Sequence, residues 1–378
     1  MRGLMIPDQG EDFTADPVEL FYDLAFVFAF SRLVKHLIEH PTWTGGAEAA
    51  LLFAIIWLPW SWFTWSANAV PGNQRSVRAV FLVATAITIP MAASVGSAYD
   101  DGGFVFAISG AAIMLMSIAL QVLALDRDSE VFQSAIRLAA PVVVSLGLLV
   151  AGGLVDGSAR VGLWIGMVVL TFLGTVSAGN SEWIVRSGHF AERHGLILII
   201  ALGEVVVAIG IAVSGELGDG GLSNELWFTM LAAGALAGLL WWAYFDRVNP
   251  ALEHRSEETD ASARGRFARD VYTWAHAPII AGIITAAAAT EEILLHPGDE
   301  LYQEFRIMFI AGIALFFGGI AIAVFRAYRV LAFERIIGFG AIAAVMLAGG
   351  SLAGMWLLVA AVAIIAVTLV AEHQRIEG

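Results

Sequence analysis

Two acidic side chains stand four residues apart in the first apolar run, Val18-Glu19-Leu20-Phe21-Tyr22-Asp23-Leu24. At that spacing Glu19 and Asp23 project from one face of a helix, and a carboxylate pair in apolar surroundings can hold a proton or a cation. Arg32 follows Asp23 by nine residues. At about 100° per residue it falls half a turn round the same helix, so it points away from the pair, whose partners must come from other helices. Glu204 lies near the centre of a second apolar run, Leu202-Gly203-Glu204-Val205. Aligning Glu19 with Glu192 puts Ser31 level with Glu204, which makes Glu204 the expected partner of Arg32. A lone charge at the centre of a membrane helix costs ~2.5–3.5 kcal/mol on an insertion scale, so pairing or protonation is expected there. His276, in Trp274-Ala275-His276-Ala277-Pro278, offers a proton relay or a headgroup contact beside a plain packing role, and Pro278 frees a backbone carbonyl one turn earlier. Asp246, with Arg247, closes a further apolar run and marks either an interface or a site.

Other chemistry is thin. The chain has no cysteine, which removes thiolate nucleophiles, disulfides and cysteine metal sites. It carries no His-Glu-x-x-His, Walker or Gly-x-Ser-x-Gly motif. His36 and His40 could share a metal with Glu39 beside them, but two histidines without further ligands read as an interfacial pair, and no metal or cofactor is expected. A net charge of −14 argues against nucleic acid.

These residues must be positioned by membrane helices. Hydrophobic types make up 59% of the 378 residues and charged types 14%, against about 25% charged in a soluble domain. Mean hydropathy is +0.79, and apolar runs of about twenty residues, one bilayer crossing each, recur throughout. Continuous runs rather than alternating ones exclude a transmembrane barrel. The chain reads as an all-α polytopic membrane protein with about twelve spans, near 18–38, 48–68, 77–97, 102–125, 132–154, 161–181, 194–214, 224–245, 271–293, 305–325, 330–349 and 352–371. The last two are joined by a tight hairpin at Gly349-Gly350-Ser351. The polar, acidic first residues are unlike a cleavable signal peptide.

With a cytoplasmic amino terminus, all 20 basic residues except Arg32, Lys35, Arg160 and Arg306 fall on the cytoplasmic side. That is a positive-inside bias, with both termini in the cytoplasm. The expected organisation is a cytoplasmic segment 1–17, a first half 18–181, a linker 182–193, a second half 194–371 containing a long cytoplasmic loop 246–270, and a tail 372–378. The halves echo one another. Pro17-Val18-Glu19 precedes one span and Phe190-Ala191-Glu192 another. Trp57, Trp60, Trp62 and Trp65 match Trp241 and Trp242, and Arg75 and Arg78 match Arg266 and Arg269. Six spans per half would relate the two pseudo-repeats in one orientation.

Glu19-Leu20-Phe21-Tyr22-Asp23-Leu24-Ala25-Phe26-Val27-Phe28-Ala29 resembles the opening signature of the bacterial low temperature requirement A (LtrA) family, with mild departures at Tyr22 and Ala25. Glu192-Arg193-His194-Gly195-Leu196, continuing to Leu202-Gly203-Glu204, is similar to its second hallmark. Trp241-Trp242-Ala243-Tyr244-Phe245-Asp246 and His276-Ala277-Pro278-Ile279-Ile280-Ala281-Gly282-Ile283 match its later blocks. The resemblance implies a multi-spanning bacterial plasma-membrane protein linked by name to growth in the cold, without a settled activity. Three functional classes follow. The first is a transporter or channel for a small solute or ion, using Glu204, Arg32, Asp23 and Glu19. The second is a lipid- or ligand-binding membrane protein of cold adaptation. The third is a lipid-modifying enzyme using Glu19, Asp23, Asp246 and His276 at one interface. Expected partners are membrane lipids, a small solute or cation, and a second copy of the chain.

Overall fold

The computed structural model describes residues 14–70, 72–124, 130–177, 183–217 and 221–377. Among them every regular element is helical, save one antiparallel bridge between Glu300 and Ala353. The helices are α1 (Pro17–Glu39), α2 (Trp43–Ala69), α3 (Arg75–Ala93), α4 (Gly103–Ala124), α5 (Glu130–Gly153), α6 (Gly157–Ser177) and α7 (Ser187–Leu217). Then come α8 (Asn224–Phe245), α9 (Val248–Glu258), α10 (Ala261–Ala268), a π-helical stretch (Arg269–Ala275), α11 (His276–Leu295), α12 (Gln303–Tyr328), α13 (Phe333–Ala348) and α14 (Gly354–Glu377).

Each expected span overlaps one of these helices. Among the described residues nine helices are long and apolar enough to cross a membrane, so the chain is a multi-pass membrane protein. The three expected spans outside that group are α1, α5 and α13. α1 carries Glu19, Asp23, Arg32, Lys35 and Glu39 along its length, which is the feature that needs explaining. Arg2, Arg127, Asn180 and Asp219, and the segment 1–17 before residue 14, lie outside the described residues.

Two stretches differ from the sequence reading. The expected linker 182–193 is, from Ser187 onward, the first turns of α7. The stretch is polar, yet His189 and Arg193 are fully buried. The expected loop 246–270 is mostly α9 and α10, and α10 runs through the π-helical stretch into α11. The hairpin between the last two helices occupies residues 349–353.

The chain forms two compact units that do not coincide with its sequence halves. One comprises Met1–Leu33, Ala47–Ile197 and Leu252–Trp274; the other comprises Val34–Gly46, Leu198–Ala251 and Ala275–Gly378. In the first, α3 to α6 pack in sequence order. Tyr22 of α1 anchors an aromatic cluster with Phe26, Phe63 and Phe81 at ring distances of 5.1, 4.8 and 5.7 Å. Arg160, at the start of α6, is 3% exposed. Its guanidinium donates to the carbonyls of Ala98, Asp100, Gly152 and Val155 and to Asp156. Those are turn carbonyls between spans that no helix can serve, so one always-charged donor set closes two helix connections at once.

In the second unit α11 packs along α12, and α13 and α14 pack on each other and on neighbours from α8 and α12. Gly282, Gly312 and Gly319 lie in the α11–α12 contact, where backbone meets backbone. That is the small-residue packing by which membrane helices approach closely.

Candidate functional site

The site is built from the start of α1. Asp16 caps this helix: its Oδ1 accepts from Val18 N at 3.0 Å, while Glu19 Oε1 accepts from Asp16 N at 3.1 Å. Asp16-Pro17-Val18-Glu19 is thus a capping box with proline at the first helical position. Arg78 Nη2 reaches Asp16 Oδ2 at 2.8 Å. Burial pushes the Asp16 carboxyl up, but the Arg78 hydrogen bond, the Val18 N–H and the Arg78 charge together outweigh it and hold it below its ordinary value of 3.8. A carboxyl depressed in the folded state adds stability that is present above the unfolded value and lost as pH falls through the folded one. Asp16→Ala is expected to cost about 1 kcal/mol, read as a lower thermal midpoint at neutral pH. The deficit relative to wild type shrinks on acidification below the ordinary carboxylate range.

With the helix start fixed, Glu19 and Asp23 face inward, both 0% exposed. Their partners come from α7. Arg193 makes a two-pronged contact with Asp23, Nη1 to Oδ2 and Nη2 to Oδ1, each 2.8 Å. Its Nε stands 3.5 Å from Glu19 Oε2. His189 Nε2 lies 3.0 Å from the same Glu19 oxygen. Glu19 with His189 and Asp23 with Arg193 are each 170 positions apart, a constant offset that makes these parts of α1 and α7 parallel. Two carboxylates, an imidazole and a guanidinium thus share one fully buried cluster.

The walls are aromatic. Trp60 Nε1 donates to Asp23 Oδ1 at 2.8 Å, and Arg193 Cζ lies 5.9 Å from the Trp60 ring centre, so the indole meets the ion pair by hydrogen bond and by ring face. His194 packs edge-on to Trp60 at 5.0 Å and against Tyr272 at 5.0 Å. Beside them runs the π-helical stretch. Thr273 O accepts from Trp57 Nε1 at 2.8 Å, and Thr273 Oγ1 accepts from Trp65 Nε1 at 2.9 Å. Pro278 has no N–H to offer the carbonyls a turn earlier, and Thr273 is five residues before it, the spacing of a π turn. Trp57, Trp60 and Trp65 of α2 thus all bond inward.

Each residue singled out in the sequence now has a place. Glu19 and Asp23 are brought together with His189, Arg193 and Trp60, which sequence reasoning did not assign to the site. Arg32 belongs to the same unit but not to the cluster. It is half-buried, its Nε is buried without a hydrogen-bond partner among the described residues, and Gly96 leaves room for its Nη2. Glu204 is 2% exposed on the part of α7 that belongs to the second unit, so the pairing of Arg32 with Glu204 stays an expectation. His276, fully buried in the second unit, has its Nε2 2.6 Å from Tyr244 Oη, which is 3.2 Å from Asn249 Oδ1. Asp246 is a partly exposed end-of-helix carboxylate 3.4 Å from Arg247 Nε. His36 and His40 stack at 4.7 Å, and among the described residues no group of three or more histidine and acidic side chains is arranged to hold a metal ion.

The family model described as bacterial low temperature requirement A protein (LtrA) matches residues 14–371. An uncharacterised protein of Rhizobium meliloti (strain 1021) is 29% identical over 336 residues, which cover 86% of this chain and 81% of that one. No solved structure matches the chain.

Proposed function

The chain belongs to the bacterial low temperature requirement A family, and from that premise we propose that it is a membrane transporter for a small solute or ion, coupled to proton occupancy of the Glu19–Asp23–His189–Arg193 cluster. One observation carries the reading: four ionisable side chains are completely buried together between helices of a membrane protein. Each is costly there, and such residues within spans mark ion and proton pathways by default. Packing alone is achieved at lower cost by apolar side chains of similar volume.

The mechanism follows from charge. With His189 protonated, two cations face two carboxylates and the cluster is balanced; with His189 neutral, one buried negative charge is left over. That imbalance is relieved by admitting a cation or by rearranging α7 against α1, and either event couples a proton to transport. The neighbouring π-helical stretch supports this, because such turns recur at functional sites and give a helix a local slip point. Glu204, a buried carboxylate further along α7, is a second candidate station. The parallel run of α1 and α7 supports two six-span repeats in one orientation, within a twelve-span protein of the bacterial plasma membrane with both termini cytoplasmic.

The test is proton and alkali-cation flux into proteoliposomes. Wild type is expected to carry a flux that depends on the pH gradient. His189→Gln, with an unchanged thermal midpoint, is expected to lower it at least about tenfold, the kinetic effect of losing one positioned proton carrier being ~10²–10⁴. Absence of flux under every gradient contradicts the reading. Glu204→Gln in the same assay assigns or removes the second station.

A further inference from the structure

A separate feature of the second unit carries an inference independent of the proton cluster. α8, α13 and α14 enclose a cleft of about 290 Å³. One side is apolar, formed by Leu239, Trp242, Ala366 and Leu369; the other carries Asp246, Arg247, Arg335 and His373. Trp242 and Val370 are 55% and 56% exposed, so the apolar side continues onto the outer faces of α8 and α14, two helices fit to cross the membrane.

Arg335 is the built element. It is 4% exposed. Its Nε donates to Glu372 at 2.9 Å and its Nη2 to the Ala243 carbonyl at 2.9 Å. Its Nη1 is buried without a hydrogen-bond partner among the described residues. A guanidinium is a rigid fork of five donors suited to phosphate and carboxylate oxygens, and a buried donor left without an acceptor calls for one. Arg247 stands in the same cleft, its Nη2 2.8 Å from His373 Nδ1, and it is a second cation for an anionic group.

Charge complementarity narrows the occupant. The two guanidinium groups are matched by two carboxylates, Glu372 on Arg335 and Asp246 on Arg247. A ligand with a net negative charge would unbalance the cleft, whereas one carrying both a phosphate and an ammonium would not. We propose that this cleft binds a zwitterionic phospholipid with an ethanolamine-type headgroup: the phosphate accepts from Arg335 Nη1 and Arg247, the ammonium meets Asp246, and an acyl chain lies along Leu239, Trp242 and Leu369.

Native mass spectrometry of the delipidated full chain tests this with phosphatidylethanolamine and phosphatidylglycerol in turn. A parallel thermal-shift series uses inorganic phosphate. One phosphatidylethanolamine is expected to be retained at least about tenfold more tightly than phosphatidylglycerol, a readily resolved affinity ratio, and phosphate alone is expected to give no shift. Arg335→Gln is expected to lose the bound lipid. Because Arg335 also ties α13 to α8 and α14, Ala366→Phe serves as a second variant: it fills the apolar side, leaves every charge in place, and is expected to lose the lipid as well. Equal retention of both lipids, retention unaffected by Ala366→Phe in a folded protein, or a thermal shift from phosphate alone would each overturn the proposal.

Discussion

Arg193→Ala is expected to destabilise the protein by about 3–5 kcal/mol. The reason is what remains rather than what is removed. Among the described residues Asp23 keeps the Trp60 indole, and Glu19 keeps His189 and the capping contact to Asp16, so a fully buried carboxylate pair faces one imidazole. Against a typical folding stability of ~5–15 kcal/mol, a loss of this size lowers the yield of folded protein as well as its thermal midpoint. Asp23→Asn together with Arg193→Gln is expected to recover part of the loss, since a neutral pair keeps the hydrogen bonds without stranding a charge. Equal destabilisation by the single and double changes in a thermal-melt cycle would show that the two side chains do not act as a pair. The exposed comparison is Arg78 with Asp16, also 2.8 Å apart but with Arg78 about half exposed. Removing Arg78 is expected to lower the thermal midpoint far less than removing Arg193, because water screens the exposed pair.

Gly312→Val is expected to separate α11 from α12. A Cβ at Gly312 falls 2.6 Å from the Ala286 nitrogen and 2.9 Å from its Cα, and one at Gly282 falls 2.6 Å from the Gly312 carbonyl oxygen. These obstacles are backbone atoms, so no rotamer change makes room and the helices must move apart. The cost is therefore at least the ~1–3 kcal/mol of ordinary overpacking, compounded by the packing lost along a contact whose core includes Ile279, Ile283, Phe309 and Phe316. Gly318 on the same helix is the control, because an added Cβ there meets nothing within 4 Å. Gly318→Ala is expected to leave stability unchanged or raise it by up to about 1 kcal/mol through helix propensity. Thermal midpoints of the two variants in one detergent separate the steric effect from the general effect of losing a glycine.

The helices were legible because bilayer crossing imposes length and apolarity on each run independently, so α2 or α12 can be read without its neighbours. Pairing is not local in that sense. Glu19 and Asp23 announced that they needed partners, since four-residue spacing fixes their common face and Arg32 lies half a turn away. Which helix answers depends on tertiary contact, and depth alone suggested Glu204 for Arg32. The better signal was spacing: His189 and Arg193 repeat the four-residue interval of Glu19 and Asp23, and two such pairs in register make one cluster. The neighbouring Ser187 and Gly188 are residues common in connections between helices, so the stretch reads as a linker and the match is hidden. The π-helical stretch had only Pro278 to signal it, and the inward hydrogen bonds of Trp57, Trp60 and Trp65 look from sequence like an interfacial belt. The Arg335 cleft needs three helix ends that lie far apart in the chain.

In the proposed mechanism the α1–α7 cluster gains and loses a proton during transport rather than standing as a fixed ion pair. Infrared difference spectroscopy of the full chain in lipid, between mildly acidic and mildly alkaline buffer, tests it most directly. Imidazole labelling is combined with Glu19→Gln, Asp23→Asn and His189→Gln. A reversible imidazole band is expected, coupled to a carboxyl band, that disappears in His189→Gln and is altered in Glu19→Gln. A spectrum in which no histidine or carboxyl band of the wild type responds to any of the three substitutions would contradict it, and would leave the cluster as a structural clasp between α1 and α7.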